Sequence, residues 1–455
     1  MDKWIEKANR ITVIPDHYKL VVQELSENEE RKFVHLLWEN EQNADETISF
    51  TFNEDTGEVN HFATDYRDDS NAGVDMDECM QQFIKQAAPS LLSKSLMKIV
   101  EPHAAGREEV SYCQHSGGVM IPFTGCYFFF EDGQMESFSY YELIDEPVMP
   151  AHIVPKEQVL NKVKHEQKMD FVYTHDEQGC RLMYDPNPST AFIVAETGEN
   201  LHDESHYELP PSSPIERVEA RGELETFLQL QEDQYDKTVL KEEDGELTIG
   251  YLPKGWVVPQ EKEGSYKAYF ESRFSKLHYL KNGAICTYDQ SSGQLLQFFS
   301  GRTSTGAYDL TDEECFERAL QFLSAAFPNY ERYMRVWKKE DDEQEEKEEK
   351  AFFHFSAYVN GIRLNLEMVM VNVNRTTGLI EHYASFPYKI IEAAENFSPQ
   401  PVISEQEALD IYLRDIDVKL KWHKREDDGY CLVYQPAFSK GDIYGIDAMT
   451  GEIEH

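Results

Sequence analysis

Apolar side chains fill alternate positions of Ile48-Ser49-Phe50-Thr51-Phe52-Asn53, and more loosely of Ala284-Ile285-Cys286-Thr287-Tyr288-Asp289. A period of two predicts half-buried strands. Each run leads into Asn/Asp-x-x-Thr/Ser-Gly, and an apolar residue stands two places beyond the glycine. The full copies are Asn53 to Gly57, Asp289 to Gly293, Asn374 to Gly378 and Asp447 to Gly451, followed by Val59, Leu295, Ile380 and Ile453. An Asp or Asn side chain caps such a turn, and glycine takes the left-handed conformation that closes it, so the pattern predicts β-hairpins. Glu131-Asp132-Gly133 is a shortened copy and Val194 to Gly198 a degenerate one. That gives three loops to each half.

Between the hairpins the period changes to that of a helix. Met80, Phe83, Ile84 and Ala87 follow Asp75-Met76-Asp77-Glu78, and Phe316, Leu320, Leu323 and Phe327 follow Thr311-Asp312-Glu313-Glu314. Both openings read as helix caps. Ser404 to Glu407 opens a further helix carrying Ala408, Leu409, Tyr412 and Leu413, and Pro155 opens one carrying Val159, Leu160 and Val163. Glu216 to Leu230 is expected to form an amphipathic helix, while Tyr333–Trp337 and Phe352–Phe355 are expected to be strands.

The elements recur in order. Ile14-Pro15 is followed 238 residues later by Leu252-Pro253, Gly57 236 later by Gly293, and Cys79 236 later by Cys315. Tyr184 and Tyr434 stand 250 apart, and Gly198 and Gly451 253 apart. An ordered series with slowly drifting spacing predicts a tandem duplication with loop insertions. The expected fold is α+β, each copy a set of antiparallel sheets with packed amphipathic helices. The expected division is residues 1–205, a Pro/Ser linker over 206–214 containing Leu209-Pro210-Pro211-Ser212-Ser213-Pro214, and residues 215–455. Within the second part, 338–350 is an acidic loop.

The recurring hairpin beside a helix resembles the PepSY domain, and longer stretches resemble the YcdB/YcdC repeated domain found mainly in spore-forming Gram-positive bacteria. The residues that carry this are Tyr358-Val359-Asn360-Gly361-Ile362, Val371 to Gly378, Pro401 to Leu409 and Ile446 to Ile453, with Ser116-Gly117-Gly118-Val119 as the weaker first-half counterpart. The resemblance implies helices packed on antiparallel sheets. It also implies a module that binds, restrains or chaperones a peptidase, and it brings no catalytic residues with it.

Composition narrows the function classes. With 43 basic and 85 acidic residues the formal net charge is −42, a field that disfavours nucleic acid and anionic lipid surfaces and suits a basic protein partner. Met1 to Arg10 has no apolar signal region, and no stretch is long and apolar enough to span a membrane. Seven cysteines, at 79, 113, 126, 180, 286, 315 and 431, lack any C-x-x-C and read as reduced core residues. The expected location is the cytoplasm, without membrane insertion.

Candidate chemistry is sparse. His165-Glu166 lacks the second histidine that a zinc-protease helix needs. Asp68 to Gly73 with Asp75 and Asp77 is polar enough for calcium but fails the EF-hand register. Cys113 and His115, near His103, have the alternate spacing that puts a thiol and an imidazole on one strand face, and an incidental neighbourhood is the simpler reading. Trp38, Trp256, Trp337 and Trp422 read as core or sheet-face aromatics. No catalytic, cofactor-binding or metal residue is assigned, and no cofactor is expected. The expected function is a non-catalytic protein- or peptide-binding module acting through edge strands or hairpin tips. The alternatives are a hydrolytic enzyme with a site in the inter-domain cleft, and an acidic structural protein that binds divalent cations.

Overall fold

The structure, a computed structural model, describes residues 1–455 except 28–30, 67–74, 103–105, 177–178, 188–191, 202–209, 220–221, 257–275, 303–305, 339–347, 398–399, 426–428 and 440. It is a mixed α+β protein, mostly antiparallel sheet with few helices. The Asp68 to Gly73 loop, His103 and most of the acidic run lie outside the described residues.

The first layer is an eight-stranded sheet. Its strands are β1 (Tyr18–Glu27), β2 (Lys32–Asn40), β3 (Thr47–Asn53), β4 (Val59–Thr64), β5 (Met97–Pro102), β6 (Arg107–Cys113), β9 (Gly125–Glu131) and β10 (Gln134–Tyr141), in the order β1-β2-β3-β4-β10-β9-β6-β5. A small hairpin, β7 (His115–Ser116) with β8 (Val119–Met120), stands off this sheet. Helices α1 (Asp2–Ile11) and α2 (Met76–Ala87) cover one face. Alternation decides which side is buried: Ile48, Phe50 and Phe52 join Phe62, Phe128 and Phe138 under α2, where Met80, Phe83, Ile84 and Ala87 line the contact. Asp75 caps α2 by accepting from the Asp77 amide. Trp4 of α1 meets Phe52 at 5.2 Å between ring centres.

The same strand order returns in the second sheet. Its main run is β15 (Tyr235–Glu243), β16 (Glu246–Pro253), β17 (Ala284–Asp289), β18 (Leu295–Ser300), β22 (Ile380–Ala384) and β21 (Ile362–Asn374). Next to β21 come β20 (Lys350–Val359), β19 (Met334–Trp337) and β14 (Ser212–Pro214). Helices α3 (Lys156–Glu166), α4 (Leu224–Leu228), α5 (Lys276–Asn282), α6 (Asp312–Ala326), α7 (Tyr330–Tyr333), α8 (Lys389–Asn396) and α9 (Glu405–Tyr412) complete the described α-helices. Full capping boxes open α6 at Thr311 and Glu314, and α9 at Ser404 and Glu407. Cys79 and Cys315 hold the same place in α2 and α6, each amide bonded to its cap residue's carbonyl.

A third group of strands ties the middle of the chain to its C-terminal part. It comprises β11 (Lys168–Asp176), β12 (Gly179–Asn187), β13 (Ile193–Val194), β23 (Ile416–Lys424), β24 (Tyr430–Phe438), β25 (Gly445–Asp447) and β26 (Ile453–Glu454). Hairpin β11–β12 continues into β25, not β13, and hairpin β23–β24 takes β13, not β25. Tyr184 lies opposite Ile446, and Tyr434 opposite Ile193. β11 also runs parallel to β21, the one parallel pairing among the described strands, while β23 lies against β8. Each late hairpin therefore rests on the sheet region of the other half.

Two buried clusters follow from these layers. One holds Trp4 to Phe138 around the first sheet; the other joins Val154, Tyr173, Tyr184 and Ile193 to the core formed after residue 214. The clusters thus divide the chain differently from the sequence division at 206–214, because β13 and β25 are exchanged. Ser212–Pro214, at the end of the expected linker, is strand β14.

The helix expected over Glu216 to Leu230 is a correction: of its described residues only Leu224–Leu228 are helical. The Tyr330 hydroxyl accepts from the Val218 amide at 2.7 Å and holds the preceding stretch as irregular chain, and Gln229, in the left-handed region, ends the short helix. Trp256 follows β16 in a turn instead of lying in a strand. Trp38 and Trp422 are buried. Among the described residues no helix is long and apolar enough to cross a membrane.

Candidate binding surface

The hairpin loops are built from the residues that the sequence singles out. Asn53 accepts from the amides of Asp55 and Thr56, Asn374 from those of Thr376 and Thr377, and Asp447 from those of Met449 and Thr450. Gly57, Gly293, Gly378 and Gly451 all have φ between 70° and 76°. The Asp289 carboxylate accepts from the Ser291 and Ser292 hydroxyls and the Ser292 amide, with Lys389 at 3.4 Å, and these donors hold it well below the usual carboxylate range. These side chains serve their own turns.

Cys113 and His115 do not share a strand. Cys113 ends β6 and His115 opens β7, because the chain turns at Gln114. The buried Gln114 side chain brackets Ile144, donating to its carbonyl at 2.9 Å and accepting from its amide at 2.7 Å. The Cys113 thiol donates to the Tyr127 hydroxyl at 3.4 Å, and burial pushes its pKa up. A thiol held protonated is a poor nucleophile. All seven cysteines are free, and Cys113, Cys126, Cys286 and Cys315 are buried. Among the described residues no group of three His, Cys, Asp or Glu side chains converges as a metal site would.

A cavity of about 650 Å³ lies between α1, α2 and the first sheet. Asn9, Arg10, Tyr66, Glu78 and Gln82 give it a polar wall, and Phe62 and Phe83 an apolar floor. Burial raises the Cys79 thiol, which also lines it. Residues 67–74, between the lining residues Tyr66 and Met76, lie outside the described residues.

The sheet margins offer more. β1 and β5 end the first sheet and β15 ends one side of the second, each with a single neighbouring strand among the described residues. Such margins carry a row of backbone donors and acceptors without ladder partners. β15 is exposed along most of its length, with Val239 at 60% exposure. In β5, Val100 is 49% exposed. The face of the first sheet away from α2 carries Ser111, Tyr127, Ser139, His61 and Thr51 in register, and His61 meets the Ser139 hydroxyl at 3.1 Å. This polar and aromatic face was not singled out from the sequence, although the alternation that buries Phe50 and Phe52 also sends Thr51 outward.

Three comparisons bear on this chain. The sequence profile of the YcdB, YcdC repeated domain matches residues 1–142 and 273–385. The protein titled "Uncharacterized protein YcdB" of Bacillus subtilis (strain 168) is 25% identical over 477 residues, covering 98% of this chain and 96% of its own length. "Uncharacterized protein YcdC" of the same organism is 25% identical over 449 residues, covering 95% of each. Among solved structures, the Bacillus megaterium YpeB C-terminal domain aligns with 51% of this chain and 92% of its own at 13% identity, with a TM-score of 0.26.

Proposed function

This chain belongs to the family of the YcdB, YcdC repeated domain, and on that premise we propose that it is a tandem duplication of one PepSY-like α+β unit whose work is binding and not catalysis. The recurrence of one strand order in both large sheets supports the duplication, as do the matched places of Cys79 and Cys315. The observation that carries the binding reading is the set of single-neighbour margins at β1, β5 and β15, which are templates for an extended segment of another protein. A peptidase, or another protein with a basic face, suits such a margin, because peptidases bind extended chains and the net charge of −42 steers a cation toward this surface. Seven free cysteines fit a reducing, cytoplasmic setting.

The reading is tested with a photo-crosslinking residue placed in the full chain at Val100 or Val239 on the margins, and at the exposed Val402 as control, in the native host. Adducts to a defined protein from the margins and not from position 402 are the expected result. Equal adducts from all three positions, or a loss of host phenotype on replacing Cys113 and His115 alone in a folded protein, would remove the binding reading.

A further inference from the structure

The margin formed by β5 has a counterpart in the second sheet, and there the place beside it is occupied. β5 pairs with β6 through Met97 opposite Cys113, and β19 pairs with β20 through Met334 opposite Ala357. Met97-Lys98-Ile99-Val100 and Met334-Arg335-Val336-Trp337 stand 237 residues apart and repeat the same order of apolar and basic side chains. On its free side β19 is joined, antiparallel, by β14: Ser212 opposite Trp337, Ser213 opposite Val336 and Pro214 opposite Arg335. The Lys338 amide adds a bond to the Pro211 carbonyl at 2.8 Å. Among the described residues no strand plays this part beside β5.

The charges at β5 say what would fit. Glu101 lies directly opposite Glu109, and Pro102 opposite Glu108. Glu101 is exposed at this margin, and an opposite charge set directly across a ladder from it stabilises the pair. The position that is Lys338 beside β14 is Glu101 here, so the charge at that end is reversed. Ile99 and the exposed Val100 ask for apolar neighbours.

We infer that β5 takes up an extended basic segment of a partner protein, antiparallel, in the manner of β14 on β19, with Lys or Arg opposite Glu101 and apolar residues opposite Val100 and Ile99. The inference rests on the binding reading above and narrows it to one margin, one strand direction and one class of sequence. Backbone pairing supplies affinity without selectivity, and the cross-strand pairs at Glu101, Val100 and Ile99 supply the choice of partner.

The test uses the full chain and a synthetic ten-residue peptide with the core Lys-Val-Val-Ser, alongside a peptide with Glu in place of that Lys. Backbone hydrogen exchange locates the peptide, and a titration at low and high salt measures it. Slowed exchange confined to 98–101 is expected, with the Lys peptide bound about fivefold more tightly than the Glu peptide, a preference that salt diminishes. Glu101→Lys should reverse the order of the two peptides, and because the side chain is exposed this variant keeps the fold. Protection at β1 or β15 with none at β5, or an order unchanged by E101K, overturns the inference while leaving the binding reading in place. Absence of protection at every margin overturns both.

Discussion

Tyr434 donates its hydroxyl to the carbonyl of Val154 at 2.8 Å, across 280 residues of sequence. Tyr184 does the same for Ile403 at 3.0 Å. The amide of Ala195 bonds the Leu432 carbonyl, and that of Ala448 the Leu182 carbonyl. These bonds are reciprocal: each half anchors the turn of the other. Replacing Tyr434 with Phe should cost about 1 kcal/mol, the net value of one satisfied buried hydrogen bond. Urea unfolding of Y434F, Y184F and the double variant checks this, and losses that fail to sum would show that the two anchors act as one element.

The strand exchange also sets which pieces can fold alone. Residues 1–142 hold a complete cluster, from Trp4 to Phe138, and should fold cooperatively as an isolated fragment. A fragment of residues 143–201 should not, because hairpin β11–β12 and strand β13 find their further neighbours, β21, β25 and β24, outside it. Amide protection measured on each fragment and on their mixtures with the remaining chain decides the matter.

Gly125 cannot be replaced. Its φ is +78°, and a Cβ there would stand 1.9 Å from the Tyr112 carbonyl oxygen. Gly125→Ala should cost at least about 3 kcal/mol, through strain and a backbone collision together. Gly118, at φ +77° with nothing within 4 Å of its Cβ position, is the control, and G118A should cost about 1 kcal/mol. Thermal unfolding of both variants measures the difference.

Asp289 ties stability to acid. Its folded carboxyl keeps its charge to lower pH than an unfolded aspartate, so its contribution is complete above about pH 4 and is lost as pH falls toward the depressed folded value. Asp289→Asn keeps an acceptor for the turn, as Asn53 and Asn374 do in theirs, but gives up the charge beside Lys389. The variant should be less stable than the parent at pH 7, and the gap should begin to narrow only as pH falls below about 4. Denaturant midpoints across that range test it.

The thiols should be slow to react. Burial raises Cys113, Cys126 and Cys315, takes Cys180 up to about 11, and takes Cys286 up to about 12. Alkylation at pH 8 should therefore stay well below the rate of the unfolded chain at all five. A single fast site at Cys113 would reopen the enzyme alternative.

What the sequence revealed depended on range. The turns at Asn53, Asp289, Asn374 and Asp447 were legible because their hydrogen bonds close within three residues. So were the caps at Thr311 and Ser404. The exchange of β13 and β25 was not, since Ile193 and Ile446 look alike whichever tyrosine they face. Helix α1 carries only Trp4 and Ala8 as buried residues, too few for a visible period. The margin at β5 left no local mark either: Met97 to Val100 reads as one more strand, and only the pairing of Ser212 with Trp337 reveals that the matching place elsewhere is filled.

The exchange has a consequence during synthesis on the ribosome. Strands β12 and β13 leave the exit tunnel more than two hundred residues before Ile446, while Tyr434, which meets Ile193, emerges only shortly before it. For that interval the nascent chain carries Tyr184 and Ile193 without their final neighbours, beside a first sheet that is already able to close. Ribosome-bound chains halted at residue 440 should accordingly recruit general chaperones to the 168–195 stretch, and chains released at full length should not. On this order of events the second core should close only after β25 has been made, because β12 finds that neighbour there.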